Sequence, residues 1–597
     1  MEHKITGQYE ALAHKYQQEL DKKKLQVRLI SWLRLAFFLA LIPVFIYLMP
    51  VNYLVGWIAV FICLTAFLFL VKRSVSAEKQ LKYLQNLAEI NTNEIRGIQR
   101  DFSPFDPGIE FIHPDHDYSY DLDLFGENSF FQFLNRTVTS GGKHKLAASV
   151  QKSNVDTETI RQKQLAVNEL AEDLDWRQQF LASGRNAESA GFAETVFHQK
   201  EPLLLKHISF LKIVLAVLPV VTLLLGVFWI MDSIPDQLFY FAVFMQWVLF
   251  LAYSQTISKF KKAFGLRTKL LNQYVDMLFL IEKREFNSAW LVQQRSQLYN
   301  QGKPASQITS SLQKILNQLD YTQNILVGFV LDSIFLWDIR CVYQLHKWQK
   351  NYGGQLDEWF EVIAEFDSMI SLANLNYNHP EWSVPTIYSG GFTIQAENLG
   401  HPLIAAEKRI DNHFELCNGQ QIVIITGANM AGKSTFLRTV GINLILAAQG
   451  CKVCATSFGF SPVRLFTNMR TTDNLMKDES YFYAELLRLK NMLELLRNGE
   501  KLFIIIDEML KGTNSVDKLN GSVEVLKQLV QLDTHCMVAT HDLKLTELAE
   551  GFPGIIKNQC FEVNLSGGDL QFDYKLKEGV TSTMNATFLM KKMGIIK

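Results

Sequence analysis

The run Thr426-Gly-Ala-Asn-Met-Ala-Gly-Lys-Ser-Thr435 constrains this chain more than any other feature. An apolar stretch, Ile422–Ile425, precedes it and a helix-like stretch, Phe436–Ala448, follows it. Strand, glycine loop and helix in that order are the setting of a phosphate-binding loop, so this part of the chain is expected to be α/β. Glycines let backbone N–H groups turn toward a polyphosphate, and the helix N-terminus adds a partial positive charge. Gly427, Ala428, Asn429, Met430, Ala431, Gly432, Lys433, Ser434 and Thr435 form the expected cradle. Lys433 has the reach for the β- and γ-phosphates, and Ser434 has the hydroxyl for Mg²⁺. The expected ligand is ATP with Mg²⁺, because no Asn-Lys-x-Asp motif that would read guanine occurs.

Two further strand-like runs carry the chemistry. Leu502–Ile506 ends in Asp507-Glu508, and Met537–Thr540 ends in His541. Acidic residues at the carboxyl end of a parallel strand lie beside such a loop. Asp507 is expected to hold Mg²⁺ and Glu508 to polarise the attacking water as general base. His541 is placed to sense the γ-phosphate. Hydrolysis would then rest on positioning and charge stabilisation rather than on a covalent intermediate.

The remaining architecture is set by apolar runs at Leu35–Met49, Tyr53–Val71, Ile213–Met231 and Leu238–Tyr253. A spanning helix needs about 20 residues. The second and third runs reach that length directly, the first with Ser31–Arg34 and the fourth with Ser254 and Gln255. They pair as two hairpins, turning at Pro50-Val51-Asn52 and at Asp232-Ser-Ile-Pro-Asp236. Lys22, Lys23, Lys24, Arg28, Lys72 and Arg73 flank the first, and Lys206, Lys212, Lys259, Lys261 and Lys262 flank the second. The turns carry no basic residue, which predicts a multi-pass protein of the cytoplasmic (inner) membrane, with both termini and the ATP site in the cytoplasm. A shorter run, Ile325–Trp337, contains Asp332 and reads as a buried soluble helix.

At 597 residues several domains are expected. With 48% apolar and 20% charged residues the chain is not disordered. A net charge of −1 gives no global basic excess, so any nucleic-acid contact needs a local patch. Seven scattered cysteines make no disulfide framework, which suits a reducing compartment. Cys451-Lys-Val-Cys454 stands without a second pair and reads as packing rather than as a redox or zinc motif.

Together these residues resemble the MutS family of mismatch-repair ATPases, a branch of the ABC-type ATPases. His401-Pro402-Leu403, Asn412 and Gly427–Thr435 are similar to the family's approach to and passage through its P-loop, with Ala428 and Ala431 as mild departures. Glu479-Ser480-Tyr-Phe-Tyr-Ala-Glu485 resembles its signature segment, and Asp507–Asp517 its Asp-Glu-x-x-x-Gly-Thr loop. Thr540-His541 resembles its switch histidine, and Gly579–Gly594 the end of its ATPase domain. A weaker likeness covers Leu124-Phe125, Leu134–Thr137, Gly142-Lys143, Ile160–Gln162, Ala166-Val167 and Asp367–Ala373, which are similar to its helical core and lever. The resemblance implies a homodimer with two composite sites, Ser480 of one subunit meeting the γ-phosphate held by the other, and implies DNA binding.

The departures matter as much. Lys518 stands where the family usually has glycine. The Phe-x-Glu letters of the mismatch reader occur at Phe125-Gly-Glu127 and Phe192-Ala-Glu194, but in sequence that reads as helical core, and 42 phenylalanines make chance matches expected. No basic clamp is recognisable between 257 and 320. The expected organisation is a cytoplasmic helix over 1–28, a transmembrane hairpin over 29–73, and a helical extension and loop over 74–120. A first part of the helical core follows over 121–206, then a second hairpin over 207–256, core and lever helices over 257–385, and the ATPase domain over 386–597. Two functions stay open: an ATPase that closes around mismatched or branched DNA in repair, and a mechanochemical ATPase that acts on the membrane or a protein partner.

Overall fold

The computed structural model describes residues 2–48, 50–185, 208–264, 268–417, 419–470, 481–566 and 569–581. Its first feature is a helical hairpin of unusual length. Helix α1 spans Glu2–Pro43 and runs through a π-helical turn, Val44–Leu48; helix α2 spans Tyr53–Ile98. Each arm is roughly 70 Å long at 1.5 Å per residue. Pro43 explains the disturbed end of α1, since it cannot donate into the helical ladder. Asn52 starts α2 by accepting from the N–H groups of Leu54 (3.0 Å) and Val55 (3.3 Å). The N-terminal helix runs on into the first apolar run as one rod, and the second apolar run continues into its extension as another.

The polar halves of these rods pack on the helical core. That core holds α3 (Phe130–Leu134), α4 (Ser140–Gln151), α5 (Thr157–Glu172) and α6 (Leu174–Gly184). A second hairpin follows, α7 (Ile208–Ile230) and α8 (Asp236–Phe264), its turn pinned by Trp229 Nε1 donating to Asp236 (2.9 Å). The core resumes with α9 (Thr268–Lys283), α10 (Ala289–Ser296), a two-residue ribbon of β1 (Tyr299–Asn300) and β2 (Lys303–Pro304), and α11 (Ala305–Asp320). Then come α12 (Ile325–Phe335), α13 (Trp337–Tyr352) and α14 (Leu356–Asn378). Helix α14 is the axis: it packs on α4 and α5, and nearly every residue from Val362 to Asn376 is buried. Its Asp367 accepts from the N–H groups of Val138 and Thr139 and from the Thr139 hydroxyl (2.7 Å), tying the axis to the start of α4.

Beyond Pro385 the chain is α/β. A four-stranded sheet has the order β3 (Thr386–Ile387), β7 (Ser457–Phe460), β4 (Ile394–Leu399), β5 (Asn412–Leu416). A six-stranded sheet contains β6 (Ile422–Gly427), β8 (Arg464–Asn468), β9 (Leu502–Asp507), β10 (His535–Thr540), β11 (Ile556–Ser566) and β12 (Asp569–Glu578). Its order is β12-β11-β6-β10-β9-β8, parallel throughout except at β12. The helices are α15 (Lys433–Ala448), α16 (Tyr481–Arg497) and α17 (Ser515–Gln531). Strand β6 is buried at all six positions, as a strand covered on both faces must be. Its residues alternate between two cores. Val423 and Ile425 join Phe503, Ile505 and Met537 in the core continuous with the helical region. Ile422 and Ile424 join Ile504, Ile506, Met492 and Leu526 beneath α16 and α17.

Among the described residues four helices are long and apolar enough to cross a membrane: His3–Leu48, Tyr53–Ile98, Ile208–Ile230 and Asp236–Lys262. Two expectations need correction. The helical core expected from 121 onward does not begin there: 112–129 is irregular and helix resumes only at Phe130. The reason is that this loop clasps the α/β domain: buried Asp121 accepts from Thr467 Oγ1 (2.6 Å), Met469 N (3.1 Å) and Arg470 N (2.9 Å). The expectation of a buried helix over Ile325–Trp337 also fails: Leu326 is 79% exposed and Phe329 58%. Helix α12 packs along the second hairpin and leaves one apolar side uncovered.

Candidate functional site

Parallel register gathers the chemistry at one edge. Thr426 pairs with Thr540, and Asp507 with Ala539, so the carboxyl ends of β6, β9 and β10 lie level. The glycine loop leaves β6 there and α15 begins at Lys433. Gly432, at φ 105°, turns the chain into that helix, a conformation that costs glycine little. A Cβ on Gly427 would stand 2.8 Å from the Phe561 carbonyl of β11, so the loop can lie this close only without a side chain.

A cavity of about 520 Å³ opens over the loop. Gly432, Lys433, Ser434, Thr435, Asp507 and His541 line it, with Ala428, Asn429, Met430 and Ala431. Lys433 Nζ donates to the carbonyls of Gly427 (2.6 Å) and Ala428 (3.1 Å) and lies 3.3 Å from His541 Nε2. Burial pushes its ammonium down to about 8, against the pull of Asp507 and Glu508. Burial and the Lys433 charge likewise lower His541, which favours its neutral form.

Glu508 is placed differently. It sits at φ 65°, uncommon for a residue with a side chain, and its N–H donates to Ala539 O (2.9 Å). Glu508 is not among the residues that line the cavity, and its carboxylate pairs with Lys518 on α17. Burial would raise this carboxyl, but the Lys518 ammonium outweighs it, aided by His541 and Lys511, and holds it below the ordinary range. Ser480 lies outside the described residues, as does Glu479.

Further residues shape the site, some of them already in the motifs and some without a sequence signal. Lys408, Arg409, Ile410 and Tyr574 also line the cavity. The basic pair after His401-Pro402-Leu403 was visible in the sequence; its aim was not. Glu485, on α16, is buried and accepts from Leu510 N (2.5 Å) and Lys511 N (3.1 Å), so it holds the loop after Glu508. Asn412 ties β5 to β12, donating to Tyr574 O (3.1 Å) and accepting from Leu576 N (2.8 Å). Burial pushes His401 down to about 4, and its Nδ1 accepts from Leu403 N (3.2 Å). The Phe125 ring packs on Phe111 (5.6 Å) and Phe131 (5.1 Å) in the clasping loop; Phe192 lies outside the described residues. Cys451 and Cys454 are buried free thiols, Cys454 pushed up to about 12 by burial. Among the described residues no cluster of three His, Cys, Asp or Glu side chains could hold a metal ion.

Residues 423–592, which hold this edge, match the family model described as MutS domain V. The chain is 30% identical to the DNA mismatch repair protein MutS of Thermotoga petrophila over 243 residues, 39% of this chain and 29% of that protein. It is 31% identical to the protein of that name from Caldicellulosiruptor bescii over 242 residues, 39% of this chain and 28% of that protein. It is 28% identical to MutS protein homolog 4 of Homo sapiens over 288 residues, 46% of this chain and 28% of the relative. The matched part spans less than a third of the length of these curated relatives. These likenesses support the MutS family and an ATPase role for the C-terminal domain.

Proposed function

We propose that this protein is a membrane-anchored MutS-like ATPase that hydrolyses ATP at composite sites in a homodimer and acts on DNA in repair. The observation that carries the ATPase is the convergence of Lys433, Ser434, Asp507 and His541 on one cavity at the sheet's carboxyl edge. A triphosphate fits what is there. Lys433 is a desolvated cation whose hydrogen bonds among the described residues go to loop carbonyls and the His541 ring, where phosphate oxygens would be better partners. The Ser434 hydroxyl and the Asp507 carboxylate are hard oxygen donors of the kind Mg²⁺ takes. The metal would supply charge neutralisation of the phosphates.

The chain's own parts then divide the work. Loop amides from Gly427 to Thr435 and the α15 N-terminus hold the phosphates. Lys433 follows the charge that develops on the transferring group, and neutral His541 has a ring nitrogen for a phosphate or water proton. Glu508 acts as general base once its carboxylate leaves Lys518 for the water. Ser480 of the partner subunit completes the site.

The membrane placement is supported by four long apolar helices and by basic residues at their stalk ends, with the cytoplasm on the basic side. The mechanochemical reading has its own support: the second hairpin interrupts the helical core, and α12 of that core packs against it. The test is phosphate release by full-length protein in nanodiscs, with homoduplex, mismatched and branched DNA in turn. Mg²⁺-dependent release that Glu508→Gln abolishes with nucleotide affinity kept is expected. A rate indifferent to all DNA refutes the DNA role and favours the mechanochemical reading, and Glu508→Gln at parental rate refutes the base.

A further inference from the structure

The second hairpin carries polar groups at a depth where a bilayer offers no hydrogen bonds. Thr222 and Gln246 are both buried, and Gln246 Nε2 donates to Thr222 Oγ1 (2.7 Å). Two more bonds at this level run to α12. Gln246 Nε2 donates to the Ile334 carbonyl (3.1 Å), and Trp247 Nε1 donates to Ser333 Oγ (3.0 Å). The Trp247 and Phe329 rings lie 5.2 Å apart.

At the other end of α8, Lys261 binds the residues that bracket α12. Its Nζ donates to Thr322 Oγ1 (2.9 Å) and to Asp338 Oδ2 (2.5 Å). Lys261 lies roughly 22 Å beyond Gln246 at 1.5 Å rise per residue. Helix α12 thus covers the half of α8 between its middle and its basic end.

Leu326, Val327 and Val330 of α12 are apolar and exposed, and Phe329 is exposed as well although its ring meets Trp247. Asp332, the one ionisable residue of the helix, is buried and accepts from Asp338 N (2.9 Å). The ends are closed by protein groups. Asn324 accepts from Leu326 N (3.1 Å) and Val327 N (3.2 Å), and Leu336 breaks the helix at φ 50°. Helix α12 is roughly 16 Å long, half of what spanning requires. Phe244, Val248 and Leu251, flanking Trp247 on α8, are exposed and apolar as well. Non-helical backbone at membrane depth is tolerated where protein groups satisfy it, and α12 meets that condition at the ends described.

We infer that α12 is a re-entrant half-helix seated in the cytoplasmic leaflet, its outer face covered by lipid acyl chains, with Lys259, Lys261 and Lys262 at the headgroup level. This rests on the membrane reading of the second hairpin. The basic end of α8 beside this apolar face is the pairing that a leaflet edge matches and that a second protein surface would not require. Helix α12 leads through α13 into the buried axis α14, so the helix that reaches the ATPase domain is connected to the bilayer by a third element beyond the two hairpins.

The test uses full-length Cys63→Ser protein in phosphatidylcholine–phosphatidylglycerol nanodiscs. A solvent-sensitive fluorophore is attached at Leu326→Cys, Val330→Cys, Phe244→Cys or Tyr299→Cys. Quenchers are aqueous iodide and lipids carrying a nitroxide near the headgroup. Labels at 326 and 330 are expected to lose most of their emission to the lipid nitroxide and little to iodide, as at 244, with the reverse at 299. If 244 responds to lipid while 326 and 330 respond to iodide, α12 lies in water and the inference fails with the hairpin still in the membrane. If 326 and 330 respond to neither, a second copy or another protein covers the helix, and the inference fails. If 244 also ignores the lipid quencher, the membrane reading fails with it.

Discussion

Replacing Lys518 by methionine should speed the ATPase, an unusual direction for a change beside a catalytic carboxylate. The Glu508 carboxylate is committed to the Lys518 ammonium, with side-chain exposures of 26% and 23%. To reach water it must give up a charge-assisted hydrogen bond, worth about 1.5–3 kcal/mol at partly buried sites. A quarter of each side chain meets solvent, so the lower end of that range applies. At about 1.4 kcal/mol per factor of ten, removing the restraint raises the basal rate about tenfold. Methionine keeps the aliphatic length and α17 helix propensity, so the change isolates the charge. The assay is steady-state phosphate release at saturating ATP across pH, with Lys518→Arg as the charge-preserving control. A second signature has a definite sign. Lys518 holds the Glu508 carboxyl below its ordinary range, so without it the carboxyl rises and the acid limb of the rate profile moves to higher pH. A slower Lys518→Met protein with unchanged ATP affinity would show that the ion pair assists the reaction, and the restraint argument would be wrong.

Other outcomes follow from the same edge. Lys433 must be protonated to attract phosphate, and burial has brought it down to about 8, so nucleotide affinity measured by calorimetry should decline as pH rises past that value. Lys433→Ala should cost at least about a hundredfold in ATP affinity, which equilibrium binding of a fluorescent analogue would measure. Glu485→Ala strands the N–H groups of Leu510 and Lys511; a loss of about 1–3 kcal/mol for each buried donor predicts a lower melting temperature and a slower ATPase with little change in nucleotide binding. His401 titrates near 4 when folded, below its ordinary value. The unfolded chain therefore takes up a proton first as pH falls, and stability drops from about pH 6.5 downward. His401→Gln should flatten that slope in a pH series of thermal melts.

What could be read from the chain was whatever depends on neighbours in sequence. The loop from Gly427 to Thr435 declares itself because strand, turn and helix are each local patterns, and the structure has them at Ile422–Gly427 and Lys433–Ala448. Asp507 and His541 were placed because strand ends in a parallel sheet share an edge, a rule that needs only the order of elements. The long apolar helices follow from composition over a window.

Contacts between distant segments decided the rest. Nothing local says that Glu508 turns to Lys518, since that requires the start of α17 to lie over the end of β9. The loop before Phe130 looks helical until Asp121 is seen accepting bonds from Thr467, Met469 and Arg470, more than three hundred positions away. Helix α12 has the composition of a buried helix, and only its place against the second hairpin leaves Leu326 and Phe329 uncovered. Periodicity states that a face is apolar; what covers that face is set by the packing of the whole chain, because burial is a property of neighbours brought together by folding.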